Sequence, residues 1–95
     1  MVIFPLELQK TYWSQGFFNV TVDYDRFVRS SEGEVELILG KNGGQIKATL
    51  NRSANSNGTA RILGRVLLKK WFQANFKPGD IVNVDLTDEN KIILF

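Results

Sequence analysis

Hydrophobic and polar residues alternate along much of the chain, and this pattern predicts a mostly β protein. In four segments an apolar side chain recurs at every second position, as expected for strands with one buried face. Three further segments are shorter or less regular, and Pro5 in the first of them suits an edge strand or a bulge. The seven expected strands lie in residues 2–9, 18–22, 35–39, 46–50, 62–63, 82–86 and 91–95.

Two segments instead have the spacing of helices. Asp23 is expected to cap a short helix that runs to Val28. A longer helix is expected from Arg65 to about Phe76, with the two lysines Lys69 and Lys70 off its buried side. The predicted buried stripe of this second helix consists of Leu67, Leu68, Trp71, Phe72 and Phe76.

Turn signals separate these elements. Asn42-Gly43 is typical of a tight hairpin turn, and residues 77–80 (KPGD) fit a type II turn. Residues 51–61 contain no large apolar side chain and predict a long polar loop. Seven short strands favour a nearly closed barrel, which protects sheet edges. The expected fold is a single α+β domain over residues 1–95, mostly β: a seven-stranded open pseudobarrel with two short helices.

The composition excludes several kinds of chemistry. The 95 residues include no cysteine and no histidine, which removes disulfides, zinc fingers and histidine-dependent hydrolytic triads. Glu34 and Glu36 share a strand face, but Ile38 follows where a catalytic lysine would be expected. We therefore expect no catalytic residue, no metal site and no cofactor, so that the chain alone is not an enzyme. The absence of a long apolar run and of a signal-peptide pattern favours a soluble protein without a membrane partner.

Charge is distributed unevenly along the chain, although the net charge is only +2. Residues 41–77 contain eight basic residues and no acidic one, whereas the rest of the chain has four basic and ten acidic residues. This asymmetry favours one positive face that attracts a polyanion. The alternative is that these charges scatter over the surface of the folded chain.

Two polar segments carry the residue types that duplex DNA requires. Residues 9–16 combine a lysine and two aromatic residues with amide and hydroxyl groups, and residues 51–65 combine three arginines with Asn, Ser and Thr. Arginine can bond to guanine, Asn and Gln can bond to adenine, and Lys or hydroxyl groups bind phosphates. Arg52 and Arg61 have no acidic neighbour in sequence, so their charge is expected to be available to a ligand. Tyr12 and Trp13 have the alternative role of covering an open end of the barrel.

The order of these elements is strand, polar arm, strand, short helix, hairpin, polar arm, helix and Pro-Gly-Asp turn. This order resembles the DNA-binding pseudobarrel of plant B3 transcription factors, which also occurs as a recognition module of restriction endonucleases of the EcoRII effector-domain type. Residues 17–28 (FFNVTVDYDRFV) are similar to the second strand and first helix of that family, and residues 77–82 (KPGDIV) to its Gly-Asp-Val-Val element. The plant domains have a proline-lysine pair where residues 21–23 (TVD) stand here. The resemblance therefore favours the prokaryotic restriction type and a cytoplasmic location.

The resemblance implies that two arms grip the major groove of double-stranded DNA. The N-arm corresponds to about residues 9–17 and the C-arm to about residues 51–64. The implied DNA-binding residues are Lys10, Thr11, Tyr12, Trp13, Ser14, Gln15, Asn51, Arg52, Ser53, Asn55, Asn57, Thr59, Arg61, Arg65 and Lys69.

The implied function is sequence-specific recognition for a type II restriction endonuclease in a restriction-modification system. The hydrolase chemistry would belong to a covalently linked nuclease domain, and no small-molecule substrate is expected. Two alternatives remain open. One is a barrel that stacks single-stranded bases on Tyr12, Trp13 and Phe17, and the other is a basic protein-interaction module.

Overall fold

The computed structural model describes residues 2–40 and 44–95, which form seven strands and three short helices. In chain order these are β1 (Ile3–Glu7), α1 (Lys10–Gln15), β2 (Phe17–Asn19), α2 (Val22–Asp25), β3 (Gly33–Leu39), β4 (Gln45–Asn51), β5 (Arg61–Leu63), α3 (Arg65–Asn75), β6 (Ile81–Asp85) and β7 (Lys91–Leu94). The expected fold class, a mostly β pseudobarrel, is confirmed. The helix α1 is additional to the two that the sequence predicts. Within the described ranges, no helix has the length and apolar character needed to cross a membrane.

All seven strands belong to one curled sheet in the order β1-β6-β7-β3-β4-β5-β2. Neighbouring strands are antiparallel except for β3 and β7, which run parallel. The strands β1 and β2 follow one another in the chain but lie at opposite ends of the sheet. The barrel is therefore open between them, and α1 makes the connection.

The core lies inside the curl and is built from alternate strand residues. Phe18, Ile62 and Leu50 are directly opposite one another on β2, β5 and β4, and all three are fully buried. Since successive side chains of a strand point to opposite faces, their neighbours Asn19, Arg61 and Asn51 lie on the outer face. The register of the core thus determines which polar residues share the outer surface.

The helix α3 packs on the core with a narrower face than its spacing predicts. Leu68 and Phe72, four residues apart, are fully buried, and Trp71 and Phe76 are partly buried against the core. Leu67, predicted to belong to the buried stripe, is 57% exposed. Adjacent helix residues differ by about 100° in direction, so Leu67 points away from the side on which Leu68 is buried.

The helix α2 is a single turn that ends at Asp25 and not at Val28. Thr21 is its N-cap residue and makes no side-chain hydrogen bond there, while Asp23, the cap that the sequence predicts, lies in the first turn. Tyr24 stacks on Phe4 of β1 with the ring centroids 5.0 Å apart. This contact brings α2 against β1, at the open side of the barrel.

The predicted turn at residues 77–80 is confirmed. Gly79 has a φ of 94°, as the third position of a type II turn requires, and the Asp80 amide donates to the Lys77 carbonyl at 3.0 Å. The predicted Asn42-Gly43 turn lies outside the described residues, but the pairing of β3 with β4 that it would join is present.

Gly16 joins α1 to the start of α3 at a point where the two backbones touch. Its φ is 77°, and its carbonyl accepts hydrogen bonds from the amides of Gly64 and Arg65. A Cβ at Gly16 would lie 2.0 Å from the Arg65 carbonyl oxygen, far inside van der Waals contact. No residue other than glycine fits this contact without a backbone shift.

Two glycine-to-alanine substitutions distinguish the energetic cost of this steric overlap from the cost of the left-handed conformation alone. Gly58 has the same φ of 77°, but no atom lies within 4 Å of the point where an alanine Cβ would stand. G58A is expected to cost about 1–2 kcal/mol from the left-handed conformation. G16A is expected to cost about 1–3 kcal/mol more because of the steric overlap. Urea unfolding measures both effects, and equal destabilisation by the two substitutions would contradict the close approach.

Candidate nucleic-acid interface

The outer faces of β2, β5 and β4 form a continuous surface, the outer strip, that lies between the two arms. It has two rows of side chains, each crossing the three strands: Asn19, Arg61 and Asn51 in one row, and Phe17, Leu63 and Thr49 in the other. Three strands spaced at 4.7–4.9 Å make a surface about 10 Å across. The first arm joins the strip at Phe17, and the second arm joins it at Asn51 and Arg61.

The first arm is folded into α1, and its two aromatic residues are structural. Tyr12 is 6% exposed and packs in a T-shaped contact on Phe17, with ring centroids 5.2 Å apart. Trp13 Nε1 donates to the Phe76 carbonyl at 3.0 Å, and Gln73 Nε2 donates to the Trp13 carbonyl. These contacts fasten α1 to the core and to the end of α3, which favours the covering role for both aromatic residues.

The polar residues of the first arm remain accessible. Lys10, Thr11 and Gln15 are exposed on α1, and Ser14 is partly buried with its hydroxyl donating to the Thr11 carbonyl. A six-residue helix is too short to produce a recognisable periodic pattern, so no signal for α1 is present in the sequence. These side chains therefore project from a helix and not from an irregular loop.

The second arm is an ordered loop whose own side chains hold its shape. Asn51 Oδ1 accepts from the amides of Ser53 and Ala54, and Asn57 Oδ1 accepts from the amide and hydroxyl of Thr59. Thr59 itself is buried. Of the predicted contact residues in this arm, Ser53 and Asn57 are exposed, whereas Asn51 and Thr59 serve mainly to fix the loop.

Arg52 is bound inside the base of the second arm, contrary to the expectation that its charge is available. Its Nη1 donates to both carboxylate oxygens of Asp25, at 2.9 and 3.1 Å, and to the Gly58 carbonyl. Its Nη2 donates to the carbonyls of Val28 and Arg29. The acidic partner lies 27 residues away in the chain, which is why neighbouring sequence does not reveal it. Arg52 therefore anchors the second arm to α2.

Arg61 has a different environment, in which its charge is oriented but not neutralised. Nε donates to Asn19 Oδ1 at 3.0 Å, and Nη2 donates to Asn55 Oδ1 at 3.2 Å. The guanidinium carbon lies 4.5 Å from the centroid of the Phe17 ring. Within residues 2–40 and 44–95, no carboxylate forms a salt bridge with Arg61. Asn19 is not among the predicted site residues, although its outward position in an alternating strand is a usable signal.

Further cations lie at the end of the outer strip where α3 begins. Arg65 Nη1 donates to Thr49 Oγ1 at 3.1 Å, and Lys69 is exposed one turn further along α3. Arg65 has a φ of 58°, a conformation that costs a non-glycine residue about 1–3 kcal/mol and clusters at functional sites.

The positive surface is narrower than the charge count along the chain predicts. Arg52 is internal, and Lys47 lies 4.0 Å from Glu34 on β3. Gln45 Nε2 donates to Glu36, which lies on β3 like Glu34. The two carboxylates therefore make β3 an acidic border beside the strip. Lys41, which the charge count includes in the positive segment, lies outside the described residues. Of the basic residues between 41 and 77, Arg61 lies on the strip and Arg65 contacts its end through Thr49, while Lys69 is exposed one turn further along α3.

In the described part of the chain, no three or more Asp or Glu side chains are grouped closely enough to hold a metal ion. No protein-family model matches the sequence, and no curated protein matches it either. The outer strip and its two arms are therefore the basis on which a function can be assigned.

The two ion pairs of the region differ in burial, and this predicts effects of different size on stability. Arg52 and Asp25 are 18% and 22% exposed, whereas Lys47 and Glu34 are 76% and 64% exposed. R52A is expected to lower the free energy of unfolding by about 2–3 kcal/mol, because it leaves the Asp25 carboxylate without its charged hydrogen bonds. K47A is expected to change it by less than about 1 kcal/mol. Urea denaturation compares the two variants, and a small effect of R52A would refute the anchoring role.

Proposed function

We propose that this domain binds double-stranded DNA in a sequence-specific manner, with the outer strip and both arms facing the major groove. The observation that carries the proposal is Arg61, a cation held in a fixed orientation between two ordered polar arms, without a carboxylate partner among the described residues. A charge left open in this way is available to an anion or to a hydrogen-bond acceptor on a ligand.

The dimensions of the strip support duplex DNA as the ligand. A surface about 10 Å across is comparable with the major groove, which is about 12 Å wide and admits β-ribbons or helices. The acidic border on β3 would repel phosphates on that side, so the DNA would be centred over β4, β5 and β2. The strained backbone of Arg65, at the end of the same strip, is a second feature typical of functional sites.

The side chains of the site divide into three roles under this proposal. Arg65, Lys69 and Lys10 are exposed cations suited to phosphates. Arg61 and the exposed polar residues of the arms, Gln15, Ser53 and Asn57 among them, are suited to base edges. The supporting residues, whose contacts hold the arms in shape, are Tyr12, Trp13, Asn51, Arg52 and Thr59.

The order of the elements further supports a B3-like module of the restriction-endonuclease type. A helix lies between β2 and β3, another lies between β5 and β6, and the two arms lie between β1 and β2 and between β4 and β5, in agreement with the layout of that family. The helix α1 within the first arm is a difference from the expected loop. In this proposal the domain supplies recognition to a type II restriction endonuclease, and a linked nuclease domain cuts the DNA.

The alternative of single-stranded binding has less support. Stacking of bases requires exposed ring faces, but Tyr12 and Phe17 are 6% and 8% exposed. Trp13 is partly buried and fastened to α3. Direct competition between single-stranded and duplex DNA for the domain distinguishes the two ligands.

Selection from a pool of randomised DNA duplexes, followed by sequencing of the bound fraction, tests the proposed function. Enrichment of one short motif is the expected result. A bound pool without enrichment would indicate a backbone binder that does not read sequence. The absence of bound DNA at low salt would overturn the proposal and favour a protein partner.

The affinity for duplex DNA is also expected to fall steeply with salt. If about five phosphates are neutralised, the slope of log affinity against log salt is expected to be near −4. The double variant R65A/K69A is expected to reduce the steepness by about 2, one for each phosphate that is no longer neutralised. K77A/K91A is the matched control, since it removes two exposed lysines outside the outer strip. A similar change of slope in both double variants would contradict the proposed orientation.

A further inference from the structure

The guanidinium of Arg61 has an unused edge. Arginine carries five N–H donors, and here Nε is bonded to Asn19 and one N–H of Nη2 to Asn55. Among the residues that the structure describes, Nη1 has no hydrogen-bond partner, and the second N–H of Nη2 has none. These remaining donors form the forked end of the side chain, with two nitrogens side by side.

This fork is held in place by groups that are themselves fixed. The guanidinium lies over the Phe17 ring, and Phe17 is buried against Tyr12. Asn19 Oδ1 accepts from both Arg61 Nε and Asn55 Nδ2, and Asn55 Nδ2 also donates to the Thr59 carbonyl. The Arg61 side chain therefore loses little conformational freedom on binding, which favours a directional contact over a diffuse attraction.

The position of Arg61 favours a base over a phosphate as its ligand. Arg61 is on β5, the middle strand of the outer strip, with β2 and β4 on either side. The exposed cations suited to phosphates lie instead on α1 and α3, which pack against each other at the end of the strip where α3 begins. Among the base edges in the major groove, guanine presents two neighbouring acceptors, O6 and N7, whereas adenine presents an acceptor beside a donor.

We infer that Arg61 recognises a single guanine through its forked end, and that Asn19 is the residue that positions it. This inference rests on the proposed function, since it requires that the outer strip faces duplex DNA. Asn19 is suited to the role because an amide oxygen orients Nε without cancelling the positive charge. The recognition site is therefore expected to contain a guanine whose identity depends on Arg61.

The test is to take matched variants through the same selection from randomised duplexes. R61Q and R65Q each replace an arginine of the strip region by a neutral amide. R61Q is expected to reduce the preference for guanine at one position by about 5- to 150-fold, the range for a bidentate base contact. R65Q is expected to weaken binding to all sequences without changing the enriched motif, as for a phosphate contact.

Variants of Asn19 test the positioning role separately. N19A removes the acceptor for Nε and is expected to weaken the preference at the same guanine position as R61Q. N19D keeps an acceptor oxygen but adds a negative charge, so it is expected to retain the guanine preference with lower overall affinity. A structural role alone would make both variants alike, lowering their stability without changing the preference at that one position. Urea unfolding of each variant provides this comparison.

The outcomes distinguish this inference from the proposed function. If the wild-type domain enriches a motif that R61Q leaves unchanged, the inference is wrong and sequence-specific binding stands. Loss of preference at an adenine, thymine or cytosine position in R61Q would also overturn the assignment to guanine. If the wild-type domain binds no duplex, both the inference and the proposed function fail.

Discussion

The ion pair between Arg52 and Asp25 holds together the parts of the molecule on which the candidate site depends. Asp25 lies on α2, and Arg52 follows the last residue of β4. The same Asp25 carboxylate also accepts from the Ala60 amide, just before β5 begins. Both ends of the second arm are therefore tied to one carboxylate, which is only partly exposed. Charged hydrogen bonds of this kind are stronger than neutral ones, so a loop without large apolar residues can be ordered without a core of its own.

The contrast between Arg52 and Arg61 shows how a partner determines the use of a charge. The two arginines bracket the same loop and look equivalent in sequence. Arg52 meets a carboxylate and backbone carbonyls, so its charge is satisfied internally. Arg61 meets amide oxygens and a ring face, which orient it but leave the charge in place. A neutral acceptor leaves the charge of an arginine available to a ligand, whereas an anionic acceptor neutralises that charge and makes the arginine an anchor.

The strands are predictable because alternation reports burial directly, and the turn at residues 77–80 is predictable because Pro78 and Gly79 suit its second and third positions. Other features depend on contacts between distant residues. The Arg52–Asp25 pair joins positions 27 residues apart, and α1 is stabilised by packing against α3 and not by its own six residues. Helical spacing wrongly predicts that Leu67 is buried, because the spacing does not specify how wide a face of α3 the core covers. Alternation along residues 18–22 places Asn19 on the outer face, but its contact with Arg61 joins positions 42 residues apart and has no local signal.

The parallel pairing of β3 with β7 has a consequence for how the chain folds. The strand β7 is the last in chain order, yet it lies in the interior of the sheet, between β6 and β3. Without it, the sheet consists of two separate pieces: β1 with β6, and β3 with β4, β5 and β2. Completing the sheet requires Glu36 to meet Lys91, across more than half of the chain. Such non-local pairing carries a high entropic cost of loop closure and places folding in the slower range known for small domains. The sheet is thus joined into one piece by β7, and a nascent chain in which β7 has not yet been made cannot form the continuous sheet.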